Sequence, residues 1–263
     1  MAKIRRAYVD VDGSQIHYRW LEGADETPIV FLHQTASSSA MYENVMGRLA
    51  GDRPQYAFDT PGFGQSDPPP PAPTVASYAR TILAAARGVG VDRFHVFGHH
   101  TGASIGFELA VSAPDRIASL TMAGPPYMDA EAREFWTNKT EAMVIQADGR
   151  HVMGAWERAQ ALDPDPDLAV VHRETVDTLR AGPRWHEAYL AVFSYDMPAR
   201  FSQVQCPVLM LSGKHDVLLP HQEAAGAAHP NATCVTLDGG TYVIDDHPEL
   251  VAAEIRTFLP TVR

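Results

Sequence analysis

Two kinds of hydrophobic pattern follow one another along the chain. Apolar and polar residues alternate through 7–11 and 15–20, with Asp12-Gly13-Ser14 between them, which predicts a β-hairpin. Short, continuous apolar runs come next, each followed by a helical segment, and such runs are typical of strands covered on both faces. These runs are 28–32, 55–58, 94–97, 117–122, 207–211 and 233–237. Strands that alternate with helices predict an α/β fold with a mostly parallel sheet.

The alternation of strands and helices is interrupted once, within residues 125–201. This stretch carries helical patterns and no clear strand, and it follows the sixth predicted strand. We therefore expect residues 125–201 to form a helical cap, inserted into a core that consists of residues 1–124 and 202–263. The cap is expected to lie over the sheet.

Composition and charge limit the partners of this 263-residue chain. Its formal net charge is −11 and no Lys/Arg cluster interrupts it, whereas a nucleic-acid partner requires a basic face. There is no apolar leader segment and no run of about 18 apolar residues, so we expect a cytoplasmic protein with no membrane partner. Cys206 and Cys234 are too few for a disulfide framework and are expected to pack in the core. The sequence leaves the oligomeric state open.

The segment Gly98-His99-His100-Thr101-Gly102 stands between a predicted strand and a predicted helix. Its two glycines permit a tight turn that pushes the middle residue, His100, into the space beyond the strand, as in a nucleophile elbow. The same turn exposes the backbone N–H of Thr101, which can stabilise negative charge on a substrate oxygen. Because functional groups collect at the carboxyl ends of parallel strands, we expect the active site here.

This elbow, together with motifs at other strand ends, resembles the α/β-hydrolase family over nearly the whole chain. His33-Gln34 resembles the family's oxyanion loop, in which Gln34 supplies the second N–H, and segment 59–67 resembles its Asp-x-x-Gly-x-Gly-x-Ser turn. Segment 211–216 resembles the strand that delivers the triad acid, which places that acid at Asp216. The resemblance implies an α/β-hydrolase fold with an about eight-stranded, mostly parallel sheet, flanked by helices and covered by a helical cap.

Two positions depart from the family's Ser-His-Asp pattern. The nucleophile position is His100, and the position after the glycine pair 239–240, where the family has the triad histidine, is Thr241. Ordinary acyl transfer to serine is therefore excluded, because both the hydroxyl and its base are missing. His247, at the start of the last predicted helix, is a minor alternative for the base and is expected to face solvent. Asp129, just past the sixth predicted strand, is the alternative acid.

An Asp216–His100 dyad is the mechanism that the sequence favours. An imidazole at position 100 is longer than a serine side chain, and the small Thr241 leaves it room to reach the carboxylate. Asp216 then fixes the tautomer, and the second ring nitrogen faces the pocket as a general base or, as a second choice, a nucleophile. We expect a cofactor-independent enzyme that acts on a small, mostly apolar carbonyl compound. Its chemistry is ester, lactone or C–C bond hydrolysis, or a related lyase or isomerase reaction.

Other interpretations of the same residues stay open. The alternative function is a catalytically inactive binding protein that has kept the pocket and lost the triad. The side chains that are possible pocket residues are His33, His99, Thr241, Trp156 and Trp185. Packing roles are favoured for both histidines and for the tryptophans. A metal site of His33, His99 and His100 is disfavoured because the spacing matches no zinc motif, and no nicotinamide-binding motif is present, so we expect neither a metal nor a cofactor.

Overall fold

The two alternating N-terminal segments form the antiparallel edge of an eight-stranded sheet. The computed structural model describes residues 3–259. Its strands are β1 (Arg5–Val11), β2 (Ser14–Leu21), β3 (Ile29–Leu32), β4 (Gln55–Phe58), β5 (Phe94–His99), β6 (Ile117–Ala123), β7 (Val208–Gly213) and β8 (Thr233–Leu237). They lie in the order β1-β2-β4-β3-β5-β6-β7-β8. β2 is antiparallel to both β1 and β4, and all other neighbouring strands are parallel, which confirms the predicted mostly parallel sheet.

Helices cover both faces of this sheet. They are α1 (Glu43–Arg48), α2 (Val75–Gly88), α3 (Thr101–Ser112), α4 (Ala130–Lys139), α5 (Arg150–Gln160), α6 (Leu168–Ala181), α7 (Glu187–Phe193), α8 (Met197–Arg200), α9 (Leu219–Ala228), α10 (Val243–Asp246) and α11 (Pro248–Phe258). Alternate residues of β3 belong to two different hydrophobic clusters. Val30 and Leu32 pack with residues of α2 and α3, whereas Ile29 and Phe31 pack with residues of α1 and α11. Each face of the strand is therefore buried, which is why β3 is a continuous apolar run.

The segment between β6 and β7 contains only helices. α4 to α8 fall within residues 125–201, the stretch where the sequence pattern shows no strand. The division into a core and a cap stays a prediction, and residues 1–2 and 260–263 of its core ranges lie outside the described residues. No helix in the described part of the chain is both long and apolar enough to cross a membrane.

The last strand differs from the sequence expectation in its burial. β8 has the predicted bounds, but it lies at the edge of the sheet and most of its residues are exposed or half-buried. Cys234, in β8, is exposed, so the expectation that it packs in the core was wrong, whereas Cys206, before β7, is half-buried and packs against the hydrophobic core. An edge strand has a neighbour on one side only, and its place in the sheet is set by topology rather than by its own sequence.

A buried carboxylate organises the turn that follows β4. Asp59 is fully buried and accepts hydrogen bonds from the backbone N–H groups of Ser39 (2.7 Å) and Gln65 (2.8 Å), while His17 Nδ1 lies 2.8 Å from its Oδ2. Burial alone would raise the pKa of Asp59, but the His17 ring and the Ser39 hydrogen bonds, with the nearby His33, hold that pKa below its ordinary value. The turn is therefore fixed by a charged group.

Replacing this carboxylate should destabilise the fold more than replacing an exposed one. In Asp59→Asn, an NH₂ group would face donors such as the N–H of Ser39 or Gln65, so we expect the free energy of unfolding to fall by about 3 kcal/mol. Asp67→Asn is the matched control, because exposed Asp67 also accepts a backbone N–H, from Gln15, and should cost about 1 kcal/mol or less. Urea denaturation measures both values, and equal losses would contradict the assignment.

Candidate active site

The turn between β5 and α3 holds His100 in a strained backbone conformation. Its φ is 48° and its ψ is −106°, which is rare for a residue with a side chain. A Cβ atom on Gly98 would lie 2.1 Å from the carbonyl oxygen of Gly102, and one on Gly102 would lie 2.0 Å from that of Leu32. Both glycines are therefore required for the close packing of this turn against α3 and β3.

The His100 ring extends from this turn to the carboxylate of Asp216, which follows β7. His100 Nε2 lies 2.9 Å from Asp216 Oδ2 and 3.1 Å from Oδ1, and the backbone N–H of Leu218 donates to Oδ1 at 2.8 Å. Burial of Asp216 disfavours its charge, but the charge and hydrogen bond of His100 outweigh it and lower the pKa of Asp216 to about 2. An ionised carboxylate only accepts hydrogen bonds, so Nε2 is the protonated nitrogen. Nδ1 has no hydrogen-bond partner among residues 3–259.

A glycine after β6 makes room for this pair. Gly124 has a φ of +55°, and a Cβ atom there would lie 2.4 Å from His100 Cδ2, 2.5 Å from His100 Nε2 and 2.9 Å from Asp216 Oδ2. None of the sequence motifs pointed to Gly124. Its signal is its position at the carboxyl end of a predicted parallel strand, where small residues let other groups approach closely.

Two loops bring backbone N–H groups to the neighbourhood of His100. The N–H groups of Gln34 and Thr101 donate to no other described residue, and both residues line the cavity described below. The Thr35 hydroxyl donates to the Thr101 hydroxyl at 2.9 Å and so joins the loop after β3 to the turn after β5. The two N–H groups are thus held in a fixed relation to each other.

His33 orients the backbone of this first loop. Its Nε2 accepts a hydrogen bond from the Thr60 N–H at 2.9 Å, so Nδ1 is the protonated nitrogen and donates to the Gln34 carbonyl oxygen at 2.7 Å. Burial lowers the pKa of His33, although the Asp59 charge opposes that effect. His33 is buried behind the loop and does not line the cavity.

The side chains of His99 and Thr241 lie buried, without hydrogen-bond partners in the described part of the chain. Neither ring nitrogen of His99, nor the Thr241 hydroxyl, bonds to a described residue, and burial, with the neighbouring His100, holds the pKa of His99 well below its ordinary value. Three possible metal ligands, from His99, His100 and Asp216, lie within 4.8 Å of one another. The metal site that was disfavoured from the sequence had His33 in place of Asp216. His100 Nε2 and Asp216 Oδ2 are 2.9 Å apart, which is a hydrogen-bond distance. A metal ion bound to both atoms would have to displace this hydrogen bond.

A cavity of about 380 Å³ opens in front of His100. Its wall combines residues of α4, α5 and α7 with residues of the loops after β3, β5, β6 and β7. The lining residues are Gln34, His100, Thr101, Pro126, Met128, Trp136, Lys139, Thr140, Glu141, Arg158, Leu162, Trp185, Tyr189, Val192, Phe193, Val217 and Leu218. Of the two tryptophans proposed as pocket residues, Trp185 lines this cavity and Trp156 does not.

A buried charged network from α6 fixes the loop after β3, and no sequence motif pointed to it. Glu174, which is 4% exposed, accepts hydrogen bonds from the Gln34 side chain at 3.1 Å and from the Ser37 hydroxyl at 2.6 Å. Arg173 Nη2 lies 2.7 Å from Glu174 and 2.8 Å from Asp245. The available signal was the charged pair 173–174 in a helix whose next turn carries another acid, but sequence spacing does not show what such a pair contacts.

The alternative acid and base lie at the surface. Asp129 is exposed and caps the N-terminus of α4 by accepting a hydrogen bond from the Ala132 N–H. His247 precedes α11, and its side chain is 40% exposed, in line with the expectation that it faces solvent.

The sheet order and the elbow after β5 are those of an α/β-hydrolase. The model of this family, described as alpha/beta hydrolase fold, matches residues 27–248, so the chain belongs to the family, as its motifs indicated. A fluoroacetate dehalogenase from a Burkholderia species is 26% identical, over 96% of this chain and 93% of that protein. The protein is accordingly a hydrolase-like enzyme.

Solved structures agree on the fold at lower sequence identity. The enol-lactonase from Burkholderia xenovorans LB400 superposes with a TM-score of 0.81 at 18% identity, covering 97% of this chain and all (100%) of that one. A thermophilic esterase from Thermogutta terrifontis, with malate bound, gives a TM-score of 0.81 at 20% identity, and the match covers 98% of each chain.

Filling the space at Gly124 should disturb the His100–Asp216 contact. In Gly124→Ala, the new methyl group would overlap the His100 ring at a backbone φ of +55°, and we expect the free energy of unfolding to fall by about 2 kcal/mol. Gly154→Ala is the control, because a Cβ atom there meets open space within α5 and should stabilise the protein by about 0.5–1 kcal/mol. Urea denaturation compares them, and an unchanged stability of Gly124→Ala would show that the pair is not packed as described.

Proposed function

We propose that the protein is a cofactor-independent enzyme that acts on a small, mostly apolar carbonyl compound, with His100 as its general base. One observation carries this proposal. His100 lines the cavity with Nδ1 unpartnered among the described residues, while its Nε2 lies 2.9 Å from a carboxylate whose pKa is about 2. A base held in one tautomer beside a cavity is what proton transfer to or from a bound molecule requires.

The chemistry follows from which nitrogen carries the proton. Asp216 accepts the Nε2–H of His100, so the lone pair of Nδ1 is directed away from the carboxylate. In hydrolysis, Nδ1 takes a proton from water while the water oxygen bonds to the substrate carbonyl carbon. When the tetrahedral intermediate collapses, the leaving group departs with the proton returned from Nδ1. The charge of Asp216 stabilises the imidazolium ion formed between these two steps.

The backbone N–H groups of Gln34 and Thr101 are the proposed oxyanion hole. Neither N–H group has a hydrogen-bond partner among residues 3–259, and the Thr35–Thr101 hydrogen bond holds their loops together. Fixed N–H dipoles stabilise the negative charge that develops on a carbonyl oxygen, and they need no rearrangement during the reaction. Two buried side chains support this arrangement. Glu174 accepts a hydrogen bond from the Gln34 side chain, and His33 donates one to the Gln34 carbonyl oxygen.

The cavity indicates the size and polarity of the substrate. About 380 Å³ lies at the small end of the range for ligand pockets, about 300–1,000 Å³. Aromatic and aliphatic side chains form much of its wall, among them Trp136, Trp185 and Phe193. The named activities of the relatives, a dehalogenase, an enol-lactonase and an esterase, favour hydrolysis of a small molecule over lyase or isomerase chemistry.

A catalytically inactive binding protein is the rival function. It would need the cavity but not the His100–Asp216 hydrogen bond, the strained turn or the free N–H groups. Retention of a buried carboxylate against the ring of His100 favours catalysis, because a buried charge is costly unless it is used or paired.

Variants of the dyad test the proposal directly. Using a panel of p-nitrophenyl esters, lactones and β-diketones, we expect His100→Ala and Asp216→Asn each to lower kcat/KM by about 10²–10⁴-fold, because each removes the oriented base. His215 is an exposed histidine next to Asp216 and serves as the control. His215→Ala should leave turnover unchanged, as should treatment of the enzyme with EDTA. Full activity in either dyad variant would refute the mechanism. Tight binding of carbonyl ligands without any turnover would establish the binding protein instead.

The pH dependence separates the two members of the dyad. Because the pKa of Asp216 is lowered to about 2, the carboxylate stays ionised through the mildly acidic range. Protonation of Asp216 is therefore expected to cause no loss of kcat/KM in the mildly acidic range. A profile of kcat/KM against pH measures this. Activity that rises toward acid would contradict a neutral imidazole base.

A further inference from the structure

We propose that Arg158 forms a carboxylate-binding subsite within the cavity. The substrate that fits this subsite carries a carboxylate in addition to its reacting carbonyl group. This inference rests on the proposed function in placing substrate in the cavity, but the subsite can be tested without turnover. The expected substrate is a small keto acid, or an ester or lactone with a free carboxylate, rather than a neutral compound.

The guanidinium group of Arg158 is held in one plane by aromatic side chains. Its central carbon lies 4.6 Å from the ring centroid of Trp185 and 5.6 Å from that of Tyr189. Its Nη2 donates to the Tyr189 hydroxyl at 2.6 Å. Stacking and a hydrogen bond fix the orientation of the remaining N–H donors, so less conformational entropy is lost when they bind a ligand.

Arg158 stands apart from the other arginines of the chain. Among residues 3–259, the arginines with no carboxylate oxygen within 4.0 Å are Arg80, Arg87, Arg93, Arg158 and Arg180. All of these except Arg158 are exposed to solvent, whereas Arg158 is half-buried and lines the cavity. In a protein of net charge −11, a half-buried cation without an acidic partner is the feature expected of an anion site.

A chain of hydrogen bonds links this subsite to the reacting end of the cavity. Tyr189 accepts a hydrogen bond from Arg158 and donates its own proton to the Thr35 carbonyl oxygen at 2.8 Å. Thr35 follows Gln34, the proposed oxyanion donor, and its hydroxyl bonds to Thr101. A molecule held by Arg158 is thus positioned relative to the same loops that would hold its carbonyl oxygen, beside His100.

The chemistry of the site favours a carboxylate over other anions. A guanidinium group presents paired N–H donors that match the two oxygens of a planar carboxylate, and the rest of the wall is largely apolar. The other charged residues of the wall are Lys139, which lies over the Phe135 ring, and Glu141, and both are exposed. A phosphate dianion would call for further buried donors, and among the lining residues Arg158 is the one oriented cation.

Direct binding decides the proposal independently of catalysis. Phenylacetate and phenylacetamide have nearly the same shape and differ in charge, and calorimetry should show that the protein binds phenylacetate more tightly. Arg158→Gln should weaken phenylacetate binding about 10–100-fold and leave phenylacetamide unaffected. Lys139→Gln, which removes the same charge from the rim of the cavity, should change phenylacetate binding much less. Thermal unfolding checks that both variants are folded.

Three results would overturn the subsite: no preference for phenylacetate, equal losses for the two ligands in Arg158→Gln, or equal effects of Arg158→Gln and Lys139→Gln. His100→Ala separates the subsite from the proposed function, because it should abolish turnover and keep phenylacetate binding. In turnover, Arg158→Gln should raise KM for mono-p-nitrophenyl succinate and spare p-nitrophenyl butyrate, which lacks the carboxylate. If no ester is turned over but phenylacetate still binds through Arg158, the proposed function fails and the subsite stands.

Discussion

The contact between His100 and Asp216 is the interaction on which the rest of the site depends. It joins the turn after β5 to the loop after β7, across the intervening strand β6, at the edge of the sheet where parallel strands end. The contact requires a strained backbone at His100 and a glycine at position 124, since any larger residue there would overlap the ring. Both requirements cost stability, and the fold bears them where the His100–Asp216 hydrogen bond is formed in return.

The central strands of the sheet could be predicted from sequence because each of them is a continuous apolar run, as burial on both faces requires. Residues 55–58 form β4 as predicted, and the alternation in the N-terminal segments marks the hairpin at the partly exposed edge. The burial of β8 could not be predicted in the same way. Its run of apolar residues resembles that of a central strand, but its exposure follows from having β7 as its one neighbour in the sheet.

The candidate site shows the same division between local and distant information. The positions of His100 and Asp216 follow from motifs at the ends of strands, because parallel strands deliver their carboxyl ends to one edge. Glu174 could not be found this way, since its contact with Gln34 joins residues 140 positions apart and depends on how α6 packs. His33 and His99, the two buried histidines near the elbow, differ for the same reason. His33 has a partner at each ring nitrogen and His99 has none within residues 3–259, and no sequence pattern distinguishes them.

Placing an imidazole at the elbow changes what substrate binding must contribute. A serine at this position is both nucleophile and part of the protein, so its attack on a bound carbonyl is already intramolecular. In the proposed mechanism, His100 moves a proton and the attacking atom belongs to water or to the substrate, so the substrate must be held against Nδ1 by other contacts. Positioning of this kind supplies a large part of an enzyme's rate enhancement. An arginine fixed by Trp185 and Tyr189, and linked through Thr35 to the proposed oxyanion loop, is therefore of more consequence here than it would be beside a serine.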